Sequence, residues 1–226
     1  MSYDRTLTRV ETYFDKTATR TWERLTSDAP VSKIRETVRR GRDGMRAHIL
    51  SRLPDDLRGA RILDAGCGAG QMTAELAARG ADVVAVDISP SLVGIAEARL
   101  PIDLKGRVTF ASGDMLDDGL GRFDHVVAMD SLIYYSDEDI ARALHRLSDR
   151  TASSIVFTVA PRTPLLMTMW RVGKLFPRSD RSPTMIPHCP TRLSRALDTV
   201  GVPGTLTPLE RITSGFYISQ AMEHAA

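Results

Sequence analysis

The sequence predicts an α/β fold built on a parallel sheet, and three observations carry that prediction. Short apolar runs alternate with helix-like segments over residues 61–159, an order that requires crossover connections and leaves both faces of the sheet covered. A glycine-rich run, Asp64-Ala-Gly66-Cys-Gly68-Ala-Gly70, lies between the first apolar run and the first helix. Two further strand-like runs, residues 206–211 and 215–221, flank Ser214-Gly215 and close the chain as a strand pair.

In chain order, Arg61–Ala65 reads as a buried strand and residues 71–79 as a helix stopped by Gly80. Asp82–Asp87 is the second strand. Ser89 then caps a helix that has Pro90 at its first position, where the missing N–H costs nothing. Residues 108–111, 123–129 and 154–159 follow as strands, with a helix at 137–149 opened by Ser136 and Asp139 as a capping-box-like pair.

Two regions stand outside that core. Residues 7–51 are helical in pattern, with Ile34, Val38, Met45 and Ile49 at roughly helical intervals. Residues 161–190 hold six of the twelve prolines around an apolar stretch at 165–170. This composition predicts a cap inserted over the carboxyl edge of the sheet, where α/β folds carry their ligands. The expected organisation is therefore an N-terminal helical substrate arm, 1–58, and a core, 59–226, with the cap insertion at about 161–190.

A chain of 226 residues, 42% hydrophobic and 26% charged, fits an ordinary globular domain. No run approaches the roughly 18 apolar residues of a bilayer span, and the first ten residues lack a signal-peptide core, so an integral membrane or secreted protein is not expected. Cys67 and Cys189 form neither a metal spacing nor a disulfide framework, and no other motif supplies protein metal ligands; a reducing cytosol is the simplest setting. The net charge of +2 is too small to argue for nucleic acid as a partner, and none is expected. It hides an uneven distribution: residues 1–60 carry 13 basic and 9 acidic groups, residues 61–160 carry 9 and 15, and residues 161–195 carry 7 and 1. Both basic pieces also gather apolar and aromatic residues, a combination suited to an organic anion.

The glycine run lets the strand-to-helix turn bend tightly and lets a ligand approach the backbone, and helix N-terminal N–H groups attract its anionic end. It is not a nicotinamide fingerprint, because Gln71 stands where the last glycine of G-x-G-x-x-G would be. Asp64 suits a cationic amino-acid moiety. Asp87 ends the second strand, where a carboxylate accepts both hydroxyls of a ribose. Gly113-Asp114-Met115 ends the third strand and suits the amino group and flat face of an adenine.

In this order the motifs resemble those of the class I S-adenosylmethionine (SAM) methyltransferases, over about residues 59–150. The resemblance implies a Rossmann-like seven-stranded sheet with its last strand antiparallel. It also implies SAM as methyl donor, S-adenosylhomocysteine (SAH) as product, and Asp64, Gly66, Gly68, Gly70, Asp87, Ile88, Asp114, Met115 and Asp130 as the cofactor-binding set. Tyr13-Phe14-Asp15 with Trp22, Val31-Ser-Lys33-Ile-Arg35, Asp130-Ser-Leu-Ile133-Tyr134-Tyr135, Phe157-Thr-Val-Ala160-Pro161-Arg162-Thr163, Leu175-Phe176-Pro177 and Gly215-Phe216-Tyr217-Ile-Ser219 extend the likeness to nearly the whole chain. These are similar to the magnesium-protoporphyrin IX O-methyltransferase family of bacteriochlorophyll and chlorophyll biosynthesis. What that implies is methyl transfer from SAM to one propionate carboxylate of the magnesium porphyrin, whose magnesium belongs to the substrate. It also makes handover from magnesium chelatase an expected interaction, in the cytoplasm with at most peripheral association with the photosynthetic membrane.

A flat apolar macrocycle bearing carboxylates calls for aromatic and methionine surface rimmed by cations. Trp22, Lys33, Arg35, Arg162, Met169, Trp170 and Arg178 supply those types; core packing is the competing assignment for the apolar ones. Tyr134 and His188 are the candidate catalytic groups. Members of the family can carry histidine at the position of Tyr134, which weakens a general-base assignment here. Methylation of a quinone or other small acid on the same fold, and a noncatalytic SAM- or tetrapyrrole-binding protein, are the alternative functions.

Overall fold

The computed structural model describes residues 3–27, 30, 32–164, 166–167 and 183–225, without the side chains of residues 16–18 and 20–22. Helix α1 (Tyr3–Thr12) passes through a π-type turn (Tyr13–Ala18) into α2 (Thr19–Leu25), and α3 (Lys33–Leu50) leads to β1 (Arg61–Ala65). Then come α4 (Gln71–Ala78), β2 (Asp82–Asp87), α5 (Pro90–Arg99), β3 (Val108–Ser112), β4 (Phe123–Ala128), α6 (Asp137–Ser148) and β5 (Thr151–Pro161). A two-residue strand β6 (Pro187–His188), α7 (Pro190–Val200), β7 (Thr205–Ser214) and β8 (Tyr217–Ala225) complete the described chain.

The sheet runs β3-β2-β1-β4-β5-β8-β7, with β6 paired to the end of β5. Strands β1 to β5 are mutually parallel. The last strand, β8, is antiparallel to both β5 and β7, as the sequence predicts. Because β1 to β3 wind outward one way and β4 lies on the other side of β1, strand order reverses between β1 and β4. A crevice opens at such a reversal at the carboxyl ends of the strands.

The strands read as apolar runs because both faces are covered. Leu63, Val126 and Phe157 pack with Ile140 and Leu144 of α6 and Leu193 and Leu197 of α7 on one side. Ile62, Val83 and Val127 pack with Leu76 of α4 and Met45, Ile49 and Leu50 of α3 on the other. Full burial of those three α3 side chains is worth roughly 2–3 kcal/mol each, so the carboxyl half of α3 is a layer of the core. Met45 therefore serves packing. The sequence reading assigns nothing to residues 191–205, yet α7 starts with Pro190 at its first turn and buries Leu193 and Leu197, one helical turn apart.

Local chemistry sets the helix ends. Ser89 Oγ accepts from Leu92 N at 3.4 Å, and Ser136 Oγ accepts from Asp139 N at 3.1 Å. The N-terminal helices dock through the same logic. Asp15 Oδ1 accepts from Ser91 N (3.2 Å) and Ser89 Oγ (3.3 Å), placing an anion at the positive end of α5. Arg39 donates to the carbonyls of Leu25 (3.0 Å) and Arg24 (2.9 Å), and Arg99 to that of Glu23 (2.9 Å), which caps the end of α2 with cations. Tyr3 stacks on Tyr135 at 4.9 Å between ring centroids and donates to Asp114 Oδ1 at 2.7 Å. No helix among the described residues is long and apolar enough to cross a membrane.

Helix α3 and β8 approach closely at Gly41, where an added Cβ would lie 2.5 Å from Tyr217 Cδ1 and 2.9 Å from its Cβ. Gly41→Ala should therefore lose about 1–2 kcal/mol net, overpacking outweighing the better helix propensity of alanine. Urea unfolding measures it, and a midpoint at or above wild type would contradict the close approach.

Candidate active site

The carboxyl ends of β1 to β4 meet at a cavity that is open to solvent, where ligands of α/β folds bind. Its floor is Asp64 near the end of β1 and Gly66, Cys67, Gly68 and Ala69 of the loop that follows. Asp87 and Ile88 come from the end of β2, Gly113 and Met115 from the end of β3, and Met129, Asp130, Ser131, Tyr134 and Tyr135 from the loop after β4. Leu7, Val10, Phe14, Thr26, Arg42 and Arg46 of the N-terminal helices close it from above.

The glycines divide their work. Gly66 has φ 87°, and a Cβ there would sit 2.4 Å from Ser131 Cβ, so only glycine lets the β1 and β4 loops meet. Gly68 has nothing within 4 Å of where a Cβ would project, and its N–H donates to Asp87 Oδ2 at 2.9 Å. Gly70 opens α4 in a left-handed conformation and holds it against Ala96 of α5; it does not line the cavity.

Three carboxylates, Asp64, Asp87 and Asp130, line this space. Asp64 is 1% exposed and accepts from Thr73 Oγ1 at 2.6 Å; burial, aided by the charge of Asp87, pushes its pKa up to about 7. Burial also raises the pKa of Asp87, opposed by the backbone N–H groups of Ser89 and Gly68. Asp130 is the non-glycine residue with a left-handed backbone among the described residues, at φ 57°, a conformation aspartate tolerates better than most. Its N–H donates to Thr158 Oγ1 at 2.7 Å, Tyr217 OH donates to Oδ1 at 3.1 Å, and Arg42 pairs with Oδ2. Ser131 Oγ, beside it, is buried without a hydrogen-bond partner among the described residues. Tyr134 lies against Phe14 with ring centroids 6.1 Å apart. Burial, then the charge of Asp130, raises its pKa well above the ordinary tyrosine value, so its hydroxyl is neutral and a donor at physiological pH.

The cavity thus gathers Asp64, Gly66, Gly68, Asp87, Ile88, Met115, Asp130 and Tyr134. Asp114 stands between lining residues, with Oδ1 taken by Tyr3 and by Leu116 N (2.9 Å). Lys33 and Arg35, in the first turn of α3, and Arg162, near the end of β5, are exposed and off the cavity wall. His188 is buried and also off the wall, with Nδ1 2.6 Å from Asp137 Oδ1. The side chain of Trp22, and Met169, Trp170 and Arg178 entirely, lie outside the described residues. Sequence reasoning missed Phe14 as a wall, and Arg42, Arg46, Ser131 and Tyr217. Arg42 and Arg46 do carry a signal: they are one turn apart, flanking the buried Met45.

Asp64 makes stability depend on pH. Its folded pKa lies above the ordinary value near 3.9, so the folded state holds its proton more tightly. That contribution is fully present below about pH 4 and is lost as pH rises through about 7. Without ligand, the wild-type melting temperature should fall between pH 5 and 8 by at least about 4 °C more than that of Asp64→Asn, which stays neutral. Parallel melting curves for the two proteins would show that Asp64 ionises freely.

Two family models match the chain: one described as a methyltransferase domain, at residues 62–153, and one described as a magnesium-protoporphyrin IX methyltransferase C-terminus, at residues 128–226. The magnesium-protoporphyrin O-methyltransferase of Rhodobacter capsulatus is 60% identical over 217 residues, 96% of this chain and 95% of that protein. The protein of the same name from Synechocystis is 28% identical over 96% of this chain and 94% of its own length. The crystal structure of magnesium protoporphyrin IX methyltransferase from Synechocystis PCC 6803 with bound SAH superposes with a TM-score of 0.80 at 27% identity, covering 96% of this chain and 98% of that one. The likeness spans the sheet, the cavity loops and the N-terminal helices alike: the chain belongs to the magnesium-protoporphyrin O-methyltransferase family of class I SAM-dependent methyltransferases.

Proposed function

We infer that this enzyme transfers a methyl group from SAM to a propionate carboxylate of Mg-protoporphyrin IX, giving the monomethyl ester. The observation that carries the reading is the carboxyl-edge cavity itself, with carboxylates on its core side and Phe14, Arg42 and Tyr134 closing it from the arm and the β4 loop. The residues present fit the cofactor. Gly68 leaves an open cradle, and the buried Ser131 Oγ lacks a partner. Asp64 and Asp130 would hold an ammonium, Asp87 a ribose, and Ile88 and Met115 the faces of an adenine, with Asp114 Oδ2 for its amino group. When bound, SAM supplies a sulfonium-activated methyl group.

A propionate is already ionised at neutral pH, so the chain has no proton to remove from it. Its work is alignment and exclusion of water, which together can supply several kcal/mol. The neutral Tyr134 hydroxyl donates a hydrogen bond that orients the reacting oxygen. Lys33, Arg35 and Arg162 offer exposed cations for the second propionate. Trp22, Met169, Trp170 and Arg178 are proposed for the macrocycle, within an arm at 1–58 and a cap at about 161–190. Receipt of the porphyrin from magnesium chelatase, at the cytoplasmic periphery of the photosynthetic membrane, completes the reading.

Incubation with methyl-labelled SAM tests it. Label should enter Mg-protoporphyrin as a base-labile ester; transfer only to a quinone, or binding without transfer, would overturn it. Asp87→Ala should remain folded and bind SAM at least about tenfold more weakly, the loss of a charged hydrogen-bonding group worth roughly 1.5–3 kcal/mol; unchanged affinity by calorimetry would move the ribose elsewhere. Tyr134→Phe should lower single-turnover methylation roughly 10- to 100-fold, about 1.4–2.7 kcal/mol, with SAM affinity hardly changed, and the wild-type rate should show no tyrosine-like ionisation across pH 6–9. Wild-type rates in Tyr134→Phe would eliminate the orienting role.

A further inference from the structure

His188 is a buried titratable side chain that the methyl-transfer chemistry leaves unused. It is 1% exposed, sits off the cavity wall, and places Nδ1 2.6 Å from Asp137 Oδ1. Asp137 opens α6, immediately after the β4 loop that carries Tyr134. Its second oxygen lies 3.0 Å from Arg192 of α7. Burial opposes ionisation of Asp137, but the His188 hydrogen bond and the charges of His188, Arg192 and Arg162 win, and hold its pKa below the usual carboxylate value. An anion there is therefore stably available to grip the imidazole. His188 Nε2, by contrast, is buried with no partner among the described residues.

The backbone around His188 grips the same loop from its other side. Ile186 N donates to Ile133 O at 2.9 Å, and Arg162 N donates to His188 O at 2.8 Å, which seats β6 against the end of β5. The segment 186–188 thus holds the β4 loop at Ile133 and at Asp137, the two positions that bracket Tyr134 and Tyr135. A loop fixed on both sides of a residue fixes that residue, and displacement of a reacting group by about 1 Å can cost on the order of 10²-fold in rate.

We propose that His188 is a positioning residue: through Asp137, and together with the Ile186–Ile133 hydrogen bond, it sets the place of Tyr134 against the reacting carboxylate. It neither touches the substrate nor accepts its proton. The proposal rests on the orienting role assigned to Tyr134 above. These two hydrogen bonds also join the end of the proline-rich segment to the reaction centre.

A double-mutant cycle in single-turnover methylation tests it, with SAH affinity measured alongside. His188→Leu should lower the rate about tenfold in the wild-type background and less than about twofold in the Tyr134→Phe background, with SAH affinity unchanged in both. His188→Asn keeps a donor near the position of Nδ1 and should restore the rate to within about threefold of wild type. If His188→Leu does not fold, Asp137→Asn takes its place in the cycle with the same expected non-additivity. Independent losses from the two substitutions, or a full rate in a folded His188→Leu, would overturn the positioning role while leaving that of Tyr134 intact. A wild-type rate in Tyr134→Phe alone would overturn both.

Discussion

The site depends on one carboxylate. Asp130 leaves β4 in a left-handed conformation and is tied to Arg42 of α3, Thr158 of β5 and Tyr217 of β8. Three segments far apart in sequence therefore meet at a single side chain on the cavity wall. An unpaired carboxylate in so enclosed a place would be costly, and each partner lowers that cost. The backbone conformation that these partners support turns the chain from the sheet edge into the loop bearing Ser131 and Tyr134. Gly41 and Gly66 serve the same junction, since each is the only residue type that lets its neighbour come close enough.

The N-terminal helices are consequently both scaffold and wall. The carboxyl half of α3 is buried with the sheet through Met45, Ile49 and Leu50, while Arg42 and Arg46, beside them on the same side of the helix, line the cavity. Residues earlier in the chain are held by electrostatic caps: Asp15 on the start of α5, Arg39 and Arg99 on the end of α2. Contacts of this kind are individually modest.

The sheet was legible in the sequence because burial on both faces writes continuous apolar runs, and the glycine loop because its conformations exclude other residues. Asp64, Asp87 and Asp130 could be singled out from their places at strand ends and from family likeness, and all three line the cavity. Helix α7 was not legible: it follows a proline-rich stretch, and only Leu193 and Leu197 mark its buried face. Nor were Arg42 and Tyr217, which reach Asp130 across 88 and 87 positions of sequence and so leave no local pattern. His188 could be singled out as a lone histidine beyond a basic stretch, but its partner, 51 residues away, is visible only in three dimensions.

The central claim is that the β1–β4 crevice and the N-terminal helices form one ligand cavity. Hydrogen exchange with and without SAH tests it most directly, because amides in a wall that contacts ligand exchange more slowly when it is bound. The expected result is slowed exchange in the loops after β1, β2 and β4 together with the α1–α2 segment around Leu7, Val10 and Phe14. Protection confined to the sheet loops, with the N-terminal helices exchanging as in the free protein, would contradict it.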